Sequence, residues 1–315
     1  MLKSIRRALT LIVITLMSIT ASTAFAEPLK VVASFSIIGD FAKNVGGDRV
    51  AVTTLVGPDG DAHVYEPSPA DAVSMASAKV VLVNGLHFEG FLQRLVEASA
   101  SKAAIVELTK GVTPIEFKPE FAEAESTEGG NSHEGHDHGS TDPHAFQSVP
   151  NAKIYVKNIA DAFCAADSAG CDSYKANAAA YTEKLEALDK EVREAINAIP
   201  SEKRVVITSH DAFGYFEHEY GLTFLAPQGL STEAEPSAAD VAKLVTQVKQ
   251  DKAAAIFVEN ITNPRLIEQI SSETGIKVGG TLYSDALSKT DAPAATYVDL
   301  MRNNIKQIKG AILGS

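Results

Sequence analysis

Apolar residues follow two alternating rhythms along this chain. Short runs rich in Val, Ile and Leu occur at Lys30–Ser34, Val50–Val56, Val80–Asn84 and Ala104–Leu108. Short apolar runs of this kind read as strands. Between them, helical spacing predicts helices near Ile37–Val45, Ser68–Ala78 and Phe88–Ser99. The same alternation restarts later. Strands are expected at Arg204–Ser209, Leu222–Ala226, Ala254–Glu259 and Lys277–Leu282, with helices at Ala212–Glu219, Ser237–Asp251, Pro264–Thr274 and Ala294–Leu313. Strands alternating with helices predict βα units and mostly parallel sheets, hence an α/β fold class with two (βα) lobes.

The two halves are bridged by helical pattern alone. A helix is predicted over Ala152–Ala165, then a long amphipathic one over Asp172–Ile199. Tyr174, Ala178, Tyr181, Leu185, Leu188, Val192, Ile196 and Ile199 recur at steps of three and four, so they share one helical face. Lys184, Glu186, Lys190, Glu191 and Glu194 mostly occupy the other side, and Pro200 ends the run. At 1.5 Å per residue such a helix spans roughly 40 Å, long enough to join two lobes. The halves also share an echo: Glu66-Pro-Ser-Pro-Ala-Asp71 resembles Glu235-Pro-Ser-Ala-Ala-Asp240. Each reads as a helix start with Ser at the N-cap and Asp three positions on, and Pro69 fits the first helical position. Residues 119–142 break the pattern. They are acidic and Gly-rich, cannot build a core, and read as a mobile segment.

The expected organisation is therefore a signal peptide over 1–26, an N-terminal lobe over 27–171, a linking helix over 172–199 and a C-terminal lobe over 200–315. Lys3, Arg6 and Arg7 precede the apolar stretch Ala8–Ile19, and Ala24-Phe25-Ala26 is a small-x-small cleavage site. The apolar stretch is shorter than the ~20 residues a membrane span needs. No Cys follows it, so no lipid anchor is expected, and export to the periplasm is. Removing those three basic residues takes the formal charge from −12 to −15. Nucleic acid, which demands basic surface, is excluded as a partner; a soluble, cation-attracting protein is not. Cys164 and Cys171 are the only cysteines, and in an oxidising compartment they are expected to form a disulfide joining the end of one helix to the start of the next.

Candidate chemistry centres on histidine. Of 8 His, four lie in Asn131-Ser-His-Glu-Gly-His-Asp-His-Gly-Ser-Thr-Asp-Pro-His144. His133, His136 and His138 on flexible chain form either an auxiliary metal-capture set or a merely solvated loop. Four other positions stand out in predicted loops: His63, His144, His210 and Asp285. Three of them, His63, His210 and Asp285, follow predicted strands, where open α/β sheets bind ligands. Three neutral imidazoles and one carboxylate make a sensible tetrahedral zinc set, and nitrogen-rich ligation favours zinc over manganese. Spacing alone leaves ordinary roles open: His63 or His210 as turn or core residues, Asp285 as a helix cap. His87 and His218 read as structural or surface residues. His133-Glu-Gly-His-Asp137 is not the zinc-protease motif, and no nucleophile elbow or Walker loop appears.

Four segments carry a family resemblance: Asp61-Ala-His-Val-Tyr-Glu-Pro67, Asp142-Pro-His-Ala-Phe146, Thr208-Ser-His-Asp-Ala-Phe-Gly-Tyr215 and Tyr283-Ser-Asp-Ala-Leu-Ser288. Asn84-Gly-Leu86, Glu233-Ala-Glu-Pro-Ser237 and Phe257-Val-Glu259 add to it. From about Leu29 onward the chain resembles the cluster A-I metal-binding periplasmic proteins of ATP-binding-cassette (ABC) transporters, and within them the zinc-specific ZnuA-like or AztC-like group. The resemblance implies two lobes joined by one long rigid helix, a metal site in the interlobe cleft, and ligand roles for His63, His144, His210 and Asp285. It also implies Zn2+ as cargo, because manganese-selective relatives usually carry a carboxylate where this chain has His210. The implied partner is an inner-membrane ABC permease, with a periplasmic zinc chaperone as a further possibility; a monomer and no enzymatic activity are expected. Some zinc binders have Glu just before the first His; here that residue is Ala62. The rival readings are a manganese or iron carrier of the same family and, from another class, a periplasmic zinc hydrolase.

Overall fold

The computed structural model describes residues 27–117, 141–234 and 236–314. The expected signal peptide and His133, His136 and His138 lie outside them. The first sheet contains β1 (Leu29–Phe35), β2 (Val50–Val56), β3 (Val80–Val83) and β4 (Ala104–Glu107), all parallel, in the order β2-β1-β3-β4. Its helices are α1 (Ser36–Gly46), α2 (Pro69–Ser77) and α3 (Leu92–Ser99). The second sheet contains β5 (Val205–Ile207), β6 (Thr223–Leu225), β7 (Ala255–Glu259) and β8 (Val278–Leu282), again parallel and in the matching order β6-β5-β7-β8. With it go α6 (Gly214–Tyr220), α7 (Ala238–Asp251), α8 (Arg265–Thr274) and α9 (Tyr297–Leu313). Two α/β lobes of one topology result, as the alternation of runs predicts.

Between the lobes run α4 (Val149–Ala166) and α5 (Cys171–Asn197). Every residue of the predicted apolar stripe from Tyr174 to Ile199 is buried. That stripe joins one continuous core with α1, α4 and α9, so α5 is packed along its length. Polar ties reinforce it: Tyr181 donates to Asp40 of α1, Arg302 of α9 pairs with both oxygens of Glu191, and Arg193 pairs with Asp189 and with Glu219 of α6. A second, smaller core lies on the other face of the second sheet, where α7 and α8 pack Val241, Leu244, Ile267 and Ile270 against Ile207 and Ile256. Cys164 and Cys171 form a disulfide from the end of α4 to the first residue of α5.

Boundaries shift where side chains compete for backbone N–H groups. Ser68 and Ser237 cap their helices as expected: the Ser68 N–H donates to Asp71, and Ser237 accepts from the Asp240 N–H. The third predicted helix starts at Leu92 rather than Phe88. Buried Glu89 accepts from Ser34 and from the N–H groups of Asn84 and Gly85, and Gly85, Leu86 and His87 all take positive φ. The chain therefore turns there instead of coiling. Ser148 caps α4, which starts at Val149, three residues before the expected Ala152. No helix among the described residues is long and apolar enough to cross a membrane.

Candidate metal centre

His63, His210 and Asp285 lie in the loops after β2, β5 and β8, beyond the C-terminal ends of parallel strands. His144 follows the long connection from β4 and immediately precedes a short turn of 3-10 helix before α4. That connection is pinned by an isolated antiparallel bridge between Glu116 and Thr141. The two lobes face each other so that these four residues converge, one ligand atom from each lying within 4.8 Å of all the others. His87 and His218 are exposed and take no part.

The geometry is tight. Asp285 Oδ2 stands 3.1 Å from His63 Nε2, 3.1 Å from His210 Nε2 and 3.6 Å from His144 Nε2. The Nε2 atoms of His63 and His144 are 3.4 Å apart. A tetrahedral cation with bonds of about 2.0–2.1 Å needs neighbouring ligand atoms roughly 3.3 Å apart. These four separations bracket that value. Asp285 Oδ1 is buried with no hydrogen-bond partner, an arrangement a cation beside the carboxylate would relieve. His144, His210 and Asp285 are fully buried, and Phe88 packs its ring 4.9 Å from that of His63 and 5.7 Å from that of His144. An aromatic wall that excludes water strengthens every charge interaction inside.

Carboxylates orient two of the rings from behind. Asp142 accepts from the His144 backbone N–H and from its Nδ1, both at 2.8 Å. Glu259 accepts from the N–H groups of Ser209 and His210 at 2.7 and 2.9 Å, and its other oxygen stands 2.6 Å from His210 Nδ1, off the line of a straight hydrogen bond. Such partners fix which nitrogen faces the metal. Gly214 lies against Asp142; a Cβ there would come 2.4 Å from Asp142 Oδ2. Asp142, Glu259 and Phe88 are absent from the ligand set expected from the sequence. The repeated Asp-x-His of Asp61-Ala-His63 and Asp142-Pro-His144 is a visible signal for the first, since Asp accepts from the N–H two residues on. Glu259 is 49 residues from His210 and is brought to it only because β7 neighbours β5.

In the metal-free state these charges share protons. Burial opposes charge on His144, but Asp285 and Asp142 outweigh it and hold its pKa up at about 9. Burial is likewise overcome at His210 by Glu259 and Asp285, which raise it well above the usual value. His63 is lowered, chiefly by burial. Despite its burial, Asp285 is held well below the carboxylate range by His144 and His210.

Residues 31–311 match the family model of the periplasmic zinc-uptake complex component A, ZnuA. The chain is 33% identical to the iron-binding protein YfeA of Yersinia pestis, over 90% of this chain and 86% of that one. It is 34% identical to the manganese-binding lipoprotein MntA of Bacillus subtilis, over 93% and 92%. Among solved structures it resembles the periplasmic zinc-binding protein TroA of Treponema pallidum, with 28% identity, a TM-score of 0.79 and coverage of 91% and 99%. A manganese-bound periplasmic protein of Candidatus Liberibacter asiaticus gives 32%, 0.76, and 90% and 98%. Such relatives are binding components of importers, not enzymes, and they work outside the cytoplasm with a membrane permease. A twinned parallel-sheet architecture, a buried His and Asp cluster between the lobes, and a match along nearly the whole chain thus lead to one conclusion: this chain belongs to the ZnuA family, the metal-binding solute-binding proteins of ABC transporters.

Proposed function

We propose that this protein captures Zn2+ in the periplasm, holding it with His63, His144, His210 and Asp285, and delivers it as a monomer to an inner-membrane ABC permease. The observation that carries this reading is the donor set: three imidazole nitrogens and one carboxylate oxygen, with separations of 3.1 to 3.6 Å around Asp285. Nitrogen-rich, tetrahedral ligation suits zinc, whereas manganese prefers more oxygen. Four protein ligands close the shell and leave no position for a reacting water, which argues against the hydrolase alternative. The packed α5 limits lobe motion, so release depends on docking to the permease.

A manganese or iron cargo is the second reading, favoured by relatives such as YfeA and MntA whose names state those metals. Competition separates the two. Metal-free protein is titrated with zinc in the calorimeter, with and without a hundredfold excess of manganese. Zinc binding tighter than micromolar that survives the excess supports the zinc reading; displacement by manganese replaces it.

A further inference from the structure

The three imidazoles are not held alike. Asp142 grips His144 at both backbone and ring, and Glu259 stands behind the ring of His210 as well as its backbone. His63 also has a carboxylate two residues before it, but Asp61 Oδ1 reaches only the His63 backbone N–H, at 2.9 Å. Among the described residues no carboxylate stands on His63 Nδ1. The other oxygen of Asp61 accepts from the hydroxyl of Thr232, which belongs to the connection after β6 in the opposite lobe. The His63 side chain is also the only one of the four with residual exposure, 6%, and its neighbour Val64 is 49% exposed.

Beside this contact lies a cavity of about 600 Å³, lined by Asp61, Thr232, Gln228, Val241 and Leu266 among others. The Thr232 connection therefore has open space beside it. A second tie joins the same loop to the opposite lobe: the Asp59 N–H donates to the Leu287 carbonyl at 2.8 Å, and Asn260 donates to Asp59. Loss of the Thr232 hydroxyl would free the Asp61 carboxylate to rotate and loosen His63, while the Asp59 tie keeps the loop in place.

We propose that Asp61 and Thr232 form an interlobe strap that sets how long the metal stays bound, with His63 as the last ligand to engage and the first to leave. Asp61 and Thr232 are positioning residues; neither touches the ion. This inference rests on the ligand set proposed above. A permease that pulls the Thr232 connection toward the cavity would weaken one ligand selectively and start release from the exposed side.

The test is the rate at which zinc leaves the loaded full-length mature protein, followed by stopped-flow mixing with excess chelator. Thr232→Val should speed dissociation roughly tenfold, the effect of losing one hydrogen bond to a charged group. Thr232→Ser, which keeps the hydroxyl, should restore the wild-type rate. In a His63→Ala background, Thr232→Val should have no further effect, which a general structural role would not produce. An unchanged rate in Thr232→Val, or an equal acceleration with and without His63, overturns the strap. The ligand reading fails separately, by wild-type zinc affinity in both His63→Ala and His210→Ala.

Discussion

Glu259 Oε2 stands 2.6 Å from His210 Nδ1, and both side chains are fully shielded from solvent. Glu259 ends β7 and His210 lies in the loop just past the neighbouring β5, so sheet registry sets the direction in which the imidazole points. Replacing Glu259 with Gln keeps the volume and removes the charge. Zinc affinity, read by competition with a chromophoric chelator, should fall about 10- to 100-fold, the usual cost of losing such a partner. Unchanged affinity would mean that packing alone orients His210.

Metal loading should release protons. His144, with a pKa of about 9, and His210, raised well above the usual histidine value by Glu259 and Asp285 against the effect of burial, both carry a proton at neutral pH before metal binds. Coordination requires neutral rings. The decline of affinity on acidification therefore begins above the ordinary histidine range near 6.5, higher than unperturbed imidazoles alone imply. Calorimetry at pH 7 in buffers of different ionisation enthalpy should give about two protons released per zinc. Affinity should rise with pH through the neutral range.

Stability of the metal-free protein should run the other way. Both rings have folded pKa values above their unfolded ones. Their contribution is fully present below about 6.5 and is lost as pH rises through the folded values. Melting of the metal-free protein should occur at lower temperature at pH 9 than at pH 6.5. The zinc-loaded form should not show that decline.

Gly214→Ala should damage the site from outside the ligand set. The added Cβ would meet Asp142 Oδ2 at 2.4 Å, and Asp142 is buried and committed to His144, so it has little room to yield. Overpacking of this kind costs about 1–3 kcal/mol. A lower melting temperature together with weaker zinc binding is expected. Wild-type values for both would show that Asp142 gives way freely.

Much of this architecture is legible in the chain, for physical reasons that differ by element. The stripe from Tyr174 to Ile199 is a local, periodic signal, and all eight positions are buried. The strands are short apolar runs bounded by turns, so most boundaries agree within one or two residues. The start of the third helix falls at Leu92 and not at the expected Phe88, because Glu89 commits its carboxylate to the backbone N–H groups of Asn84 and Gly85, a choice no periodicity records. At the site, Asp-x-His is readable twice, whereas the Glu259 to His210 pairing and the Thr232 to Asp61 contact join residues 49 and 171 apart and exist only once strands and lobes assemble.

The disulfide should matter for stability and not for metal. It closes a loop of sequence separation 7 between α4 and α5. Loop entropy for so short a closure is worth about 2 kcal/mol. Replacing Cys164 and Cys171 together by Ser should lower the midpoint of urea unfolding accordingly and leave zinc affinity unchanged.

The most direct measurement is X-ray absorption at the zinc edge of the loaded protein. Four ligands at about 2.0–2.1 Å, with the scattering of three imidazoles, are expected, and His210→Ala should remove one of them. A shell of five or six oxygens, or a spectrum indifferent to His210, would contradict zinc capture by His63, His144, His210 and Asp285.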